Sequence, residues 1–155
     1  MSLLELSGSF TTTAPASRVI DFISSPESLS TVLPDVEKFS RTGEVSTVRF
    51  RLDLQKNGNS TGSGYLSTAT ATMRFHFEDV RSDGVVIKGE GRTLGNQLKL
   101  TVAIAIGEAD GETEIDWSAS IDTGVLLRLF GSETVNTVSR EIVREIIANV
   151  ERALS

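Results

Sequence analysis

Between Asp35 and Asp122 apolar residues return at every second position in stretch after stretch, "STVRFRLDL" and "NQLKLTVAIAI" most clearly, and from Val135 to Val150 they return at every third or fourth. That change of period restricts the fold more than any single residue does. Period two demands a pleated strand with one face buried, and the longer period demands a helix with an apolar stripe. The chain must bring a run of half-buried strands and one long amphipathic helix together over a common core.

The strands can be followed one by one. Residues 3–12 set Leu4, Leu6, Gly8 and Phe10 against polar neighbours. "APASRVIDFISSPESLSTVLPD" then switches period. Pro15 sits where a first helical turn tolerates it, and Val19, Ile20, Phe22 and Ile23 form one helical face. Pro26 interrupts that helix, with Ser25 as a candidate N-cap. A second short helix carries Leu29, Val32 and Leu33 and stops at Pro34. "DVEKFSRT" reads as a weak strand and "STVRFRLDL" as a clear one, and "QKNGNSTGSG" is a turn or loop. "YLSTATATMRFHFED", "VVIKGEG", "NQLKLTVAIAI" and "TEIDWSASID" complete about seven strands, with an Asp-Gly hairpin turn in "EADGE". Short turns make the sheet antiparallel. At the C-terminal end Val135, Val138, Ile142, Ile146 and Val150 form the stripe, widened by Val143, Ile147 and Leu154. One helix over 125–154 would reach ~45 Å, which only a strongly curved sheet can wrap.

At 155 residues with 39% hydrophobic content, the chain reads as one domain, 1–155, able to bury a full core. It has no cysteine, so disulfides, thiolate metal sites and cysteine nucleophiles are excluded. The start lacks a basic n-region and a long apolar run, which predicts no signal peptide. No apolar run approaches the ~20 residues of a spanning helix. The net charge of −6, with no Lys/Arg cluster along the chain, argues against nucleic acid as a partner.

Three patches carry a resemblance: "GSFTTTAPASRVIDFISSPESLSTVLPDVEKF", "GEGRTLGNQLKLTVAIAI" and "GETEIDWSASIDTGVLLRLFG". Together with the element order they resemble the carbon monoxide dehydrogenase G-subunit (CoxG) family, within the Bet v 1-like, START-related (SRPBCC) superfamily, over residues 7–154. The resemblance implies an α+β helix-grip fold: a seven-stranded curved antiparallel sheet wrapped around a long C-terminal helix, with two short helices after strand 1. It also implies a carrier of hydrophobic ligands, lipid- or quinone-like. Such a carrier is linked to maturation or membrane recruitment of a molybdenum-containing carbon monoxide dehydrogenase. Two positions depart from the family pattern. Asp35 stands where a glycine is common after "L-P", and the sequence reaches Ser155 without the hydrophobic anchor of some members.

The inner rows bear on whether such a sheet encloses space. On the long strand the odd row, Tyr65 to Phe77, is the inner one, and its middle is small: Ser67, Ala69, Ala71. Gly89 and Gly91 are small on the next strand. Small residues on a concave face leave volume unless long side chains opposite fill it, and apolar pockets with few polar groups suit small molecules. The expected cavity liners are Phe50, Ala69, Ala71, Phe75, Val102, Trp117, Val138, Ile142 and Ile146. His76 shares its row with Arg74 and Glu78 and faces solvent, away from any pocket in which it could serve as a base. No metal or cofactor is expected. The spaced glycines of "GEGRTLG" precede no helix, so they form no phosphate loop.

Residues 125–130, Val-Leu-Leu-Arg-Leu-Phe, admit two readings. Gly131 breaks the helix and 125–130 packs under the sheet rim, or Leu126 and Phe130 form an exposed lip at a cavity mouth with Leu29, Val32 and Leu33. The leading expectation is a non-enzymatic, cytoplasmic binder of a hydrophobic small molecule. It would meet an oxidoreductase partner and touch a membrane transiently. The alternatives are an assembly module with a filled core and an aromatase/cyclase-like enzyme.

Overall fold

The computed structural model describes residues 3–53, 68–93, 95–124 and 131–155, and for residues 52, 53, 68 and 69 the backbone alone. In chain order the elements are β1 (Leu3–Thr12), α1 (Ala16–Ile23), α2 (Pro26–Val32), β2 (Val36–Thr42), β3 (Val45–Asp53), β4 (Thr68–Arg81), β5 (Gly84–Thr93), β6 (Asn96–Ala109), β7 (Glu112–Asp122) and α3 (Ser132–Leu154). The strands form one seven-stranded antiparallel sheet in the order β1-β7-β6-β5-β4-β3-β2. The expected architecture is present throughout.

Local chemistry explains the corners. Ala109 pairs with Glu112, leaving Asp110 and Gly111 as a two-residue loop, both at positive φ. That is the turn that matches the twist of a hairpin, and Asp-Gly is the pair that tolerates it. The Oγ of Ser25 accepts the Ser28 amide at 3.2 Å, and Pro26 opens α2, where a missing N–H costs nothing. Pro15 is the N-cap of α1, one position ahead of its expected place inside the first turn. Gly131, at φ 84°, is the N-cap of α3. The terminal helix therefore begins at Ser132 and runs ~35 Å, shorter than a helix over 125–154 would be.

β1 and β2 are neighbours in sequence yet lie at opposite edges of the sheet. The α1–α2 pair carries the chain between them across one face, so that face is the covered one. Parity agrees. Leu6 and Ala119 face each other across β1–β7, and Phe75 faces Ser46 across β3–β4; all four are buried.

Two clusters fill the core. In the first, Val19, Ile20 and Ile23 of α1 meet Val85, Ile106 and Ile115 of the sheet and Val150 and Leu154 of α3. In the second, Val48, Phe75 and Ile87 lie beneath Leu29 and Leu33. Side-chain to backbone bonds tie the helices down. Asn149 donates to the Val32 carbonyl at 2.9 Å, and Arg18 donates to the Ala153 carbonyl at 3.0 Å.

Candidate functional site

The inner face is built from alternate residues of every strand, and only part of it is packed. The C-terminal half of α3 enters the first cluster through Ile146, Val150 and Leu154. The same stripe continues backwards through Ile142, Val138 and Val135 by helical spacing, but these three are half-buried and belong to neither cluster. On the sheet, Leu98 and Leu100 of β6, Ile121 of β7 and Leu4 of β1 behave in the same way. Leu100 pairs with Ile121, and Ile121 with Leu4, so they form one transverse apolar row on the inner face. The backbone of α3 comes nearest to the sheet along β1 and also packs on α2. Two apolar surfaces thus share the inner side of the sheet, and solvent reaches both. Both are half-buried apolar surface outside the packed clusters.

The expected liners divide between buried or cluster-packed residues and half-buried ones outside both clusters. Phe75 and Ala71 are buried, and Phe75 stands edge-on to Phe77 with ring centroids 6.0 Å apart. Phe50 and Val102 are half-buried against the second cluster, and Ile146 against the first. Val138, Ile142 and Trp117 are half-buried outside both clusters. The side chain of Ala69, like Leu126 and Phe130, lies outside the described residues. Leu98, Leu100, Leu4, Ile121 and Val135 are likewise half-buried outside both clusters, although the sequence reading does not single them out. Alternation and helical spacing, which place them on the inner side, are the signals that could find them.

Two expectations need correction. Gly89 and Gly91 do not stand over empty space. A Cβ on Gly91 would collide with the sulfur of Met73 and the carbonyl oxygen of Thr72, and one on Gly8 would lie 2.9 Å from Cζ2 of Trp117. The glycines make room for large side chains of the neighbouring strand within the same sheet, and those side chains fill the volume. Val32 is also no part of an exposed lip. It is 2% exposed, because α2 turns its C-terminal end inward and α3 bonds to its carbonyl. Leu29 and Leu33 are half-buried against the core clusters.

The outer face carries the titratable groups. His76, half-exposed, places Nε2 2.7 Å from Oε2 of Glu78, and Lys88 stands 3.8 Å from the other carboxylate oxygen. The hydrogen bond from His76, aided by the nearby Lys88 charge and opposed by slight desolvation, holds the Glu78 carboxyl below its ordinary value. This is a cluster of charged and polar side chains facing solvent. Among the described residues no group of His, Asp and Glu could hold a metal. A shallow depression of about 480 Å³ also opens near Asp79, Arg81 and Asp83, over Gly84, Ala103, Ala105 and Ser118. Val86 and Asp116 line it as well, together with Val85, Ile104 and Trp117 of the inner rows, so the expected liner Trp117 borders this depression.

A curved antiparallel sheet closed by a long terminal helix, with a pair of short helices bridging its edges, is the helix-grip architecture of START and Bet v 1-like proteins. Within that class, the chain belongs to the carbon monoxide dehydrogenase G-subunit (CoxG) family, whose family model matches residues 8–155. Solved structures agree on the fold. A conserved protein from Geobacillus kaustophilus superposes with a TM-score of 0.78 at 11% identity, covering 97% of this chain and 95% of its own. A START superfamily protein from Mycobacterium smegmatis gives 0.65 at 9% identity, covering 97% and 96%. The Zhui aromatase/cyclase from Streptomyces sp. R1128 gives 0.58 at 16%, covering 99% and 92%. No curated protein matches by sequence. Among the described residues no helix is long and apolar enough to cross a membrane.

Proposed function

We propose that the chain binds a hydrophobic small molecule, lipid- or quinone-like, between the inner face of the sheet and the N-terminal half of α3. The observation that carries this reading is the unequal packing of one continuous stripe. Val150 and Leu154 are buried, whereas Val138 and Ile142 are left half-buried outside both clusters. An apolar molecule between them and Leu98, Leu100 and Val102 would remove that surface from water, at about 25 cal/mol per Å². The side chains named there offer no acid–base pair, so the role is carriage rather than catalysis. In the cytoplasm such a carrier would load by transient membrane contact. It would deliver to an oxidoreductase, in keeping with the family's connection to carbon monoxide dehydrogenase.

Native mass spectrometry and displacement of a fluorescent fatty acid test the proposal. The parent protein is expected to retain or take up an apolar ligand, and Val138→Trp, which fills the space, is expected to abolish uptake while the fold is kept. Equal uptake by both proteins, or none by the parent, overturns it. The second reading, an assembly module with a filled core, has one observation in its favour: Met73 and Trp117 occupy the volume above the glycines.

A further inference from the structure

The cations are scattered along the chain, but strand pairing gathers them. On the outer face Lys38 of β2 lies opposite Arg49 of β3, Arg49 opposite Thr72 of β4, and Thr72 opposite Arg92 of β5. Residues directly opposite share a face, so Lys38, Arg49 and Arg92 stand in one transverse row about 14 Å long. Arg51, Arg74 and Lys88 flank that row at outer positions of β3, β4 and β5, and all six side chains are exposed.

Among the residues whose side chains are described, three acids share the face and are already engaged. Glu37 takes Arg51 at 2.8 Å and Arg49 at 3.5 Å. Glu90 takes Arg74 at 2.8 Å, and Glu78 takes His76 and Lys88. Lys38 and Arg92 have no ion-pair partner among the described residues. On a chain of net charge −6, this face is positive and the remainder is more negative than the total.

We propose that the outer face of β2–β5 docks an acidic patch on a partner protein. Guanidinium forks suit carboxylates, and Arg49, Arg51, Arg74 and Arg92 present theirs from rigid strands. A flat anionic membrane fits less well. It would extend beyond the patch and repel the acidic remainder, and among the described residues no exposed apolar side chain stands among the six cations to insert. Nucleic acid fits less well too, because among the described residues threonines, glutamates and His76 stand between the cations and no Phe, Tyr or Trp stands there for bases to stack on. The patch also lies opposite the side that α2 and α3 cover. A partner held there leaves the candidate ligand space free for exchange, and the docking itself does not depend on a ligand.

The test uses the full chain and a labelled decaglutamate peptide, followed by fluorescence anisotropy at about 50 and about 300 mM salt. Binding is expected to weaken with salt and to fall at least about tenfold in Arg49→Glu with Arg92→Glu. Arg92→Gln alone should give a smaller loss, and Arg144→Gln, an exposed arginine of α3, none. Amide shifts on titration should map to β2–β5. Equal binding by the reversed variant and the parent overturns the proposal. So does preference for phosphatidylglycerol vesicles or duplex DNA over the peptide. Self-association of the parent that the reversal abolishes would assign the face to a second copy of the chain and overturn it as well.

Discussion

Leu154→Ala and Ile142→Ala truncate the same stripe of α3 and should differ sharply in cost. Leu154 is 1% exposed and belongs to the cluster that joins α1, α2, β5, β6 and β7. Its truncation removes three carbons, about 2.4 kcal/mol at 0.8 kcal/mol per buried methylene. The surrounding cluster involves both other helices and the sheet, so it relaxes only in part. A residual void of about 50 Å³ adds about 1 kcal/mol at 24 cal/mol per Å³. The expected loss is about 3.5 kcal/mol. Ile142 also loses three carbons, but half-buried ones, worth about 1.2 kcal/mol. No closed void is created, and alanine's better helix propensity returns a few tenths. The expected loss there is about 1 kcal/mol. Urea denaturation followed by circular dichroism reads the difference. With a slope of about 2 kcal/mol per M, the midpoints should fall by about 1.7 M and about 0.5 M. Equal losses, or a larger one at Ile142, would show that the N-terminal half of α3 sits in a closed core, and the proposed ligand space would go with it.

Gly91→Ala is expected to destabilise by about 1–3 kcal/mol, since its methyl group meets Met73 and the Thr72 carbonyl; thermal melting checks it. Ser46→Ala should leave stability unchanged or raise it by about 1 kcal/mol, because the Ser46 hydroxyl is buried without a hydrogen-bond partner. A clear loss would mean that the hydroxyl is satisfied. Glu78 has a folded pKa below its ordinary value of 4.5, set first by His76. Its contribution to stability is therefore present above pH 4.5 and lost as pH falls through the lower folded value. In His76→Gln, carbon-detected NMR titration should find the Glu78 midpoint closer to 4.5, and an unmoved midpoint would contradict the assignment of cause.

The element order and the inner parity are legible in the sequence because they are local. Val48, Phe75 and Ile115 fall on the buried side by alternation alone, and Val150 and Leu154 by helical spacing. Pro26, Ser25 and Asp110-Gly111 mark their corners through restrictions that act within one turn. Residue size on its own misleads. Gly89 and Gly91 suggest a hollow, but whether a small residue leaves space depends on its neighbour across the ladder, and Met73 comes from another strand. Val32 escapes the sequence for the same reason: its burial is set with α3, whose Asn149 lies 117 residues away in the chain. The basic face is invisible along the chain, since Lys38, Arg49 and Arg92 meet only through register. Periodicity is a property of consecutive residues and so can be read from the sequence. Filling and charge clustering depend on which distant residues the pairing makes adjacent, and that is settled when the chain closes on itself.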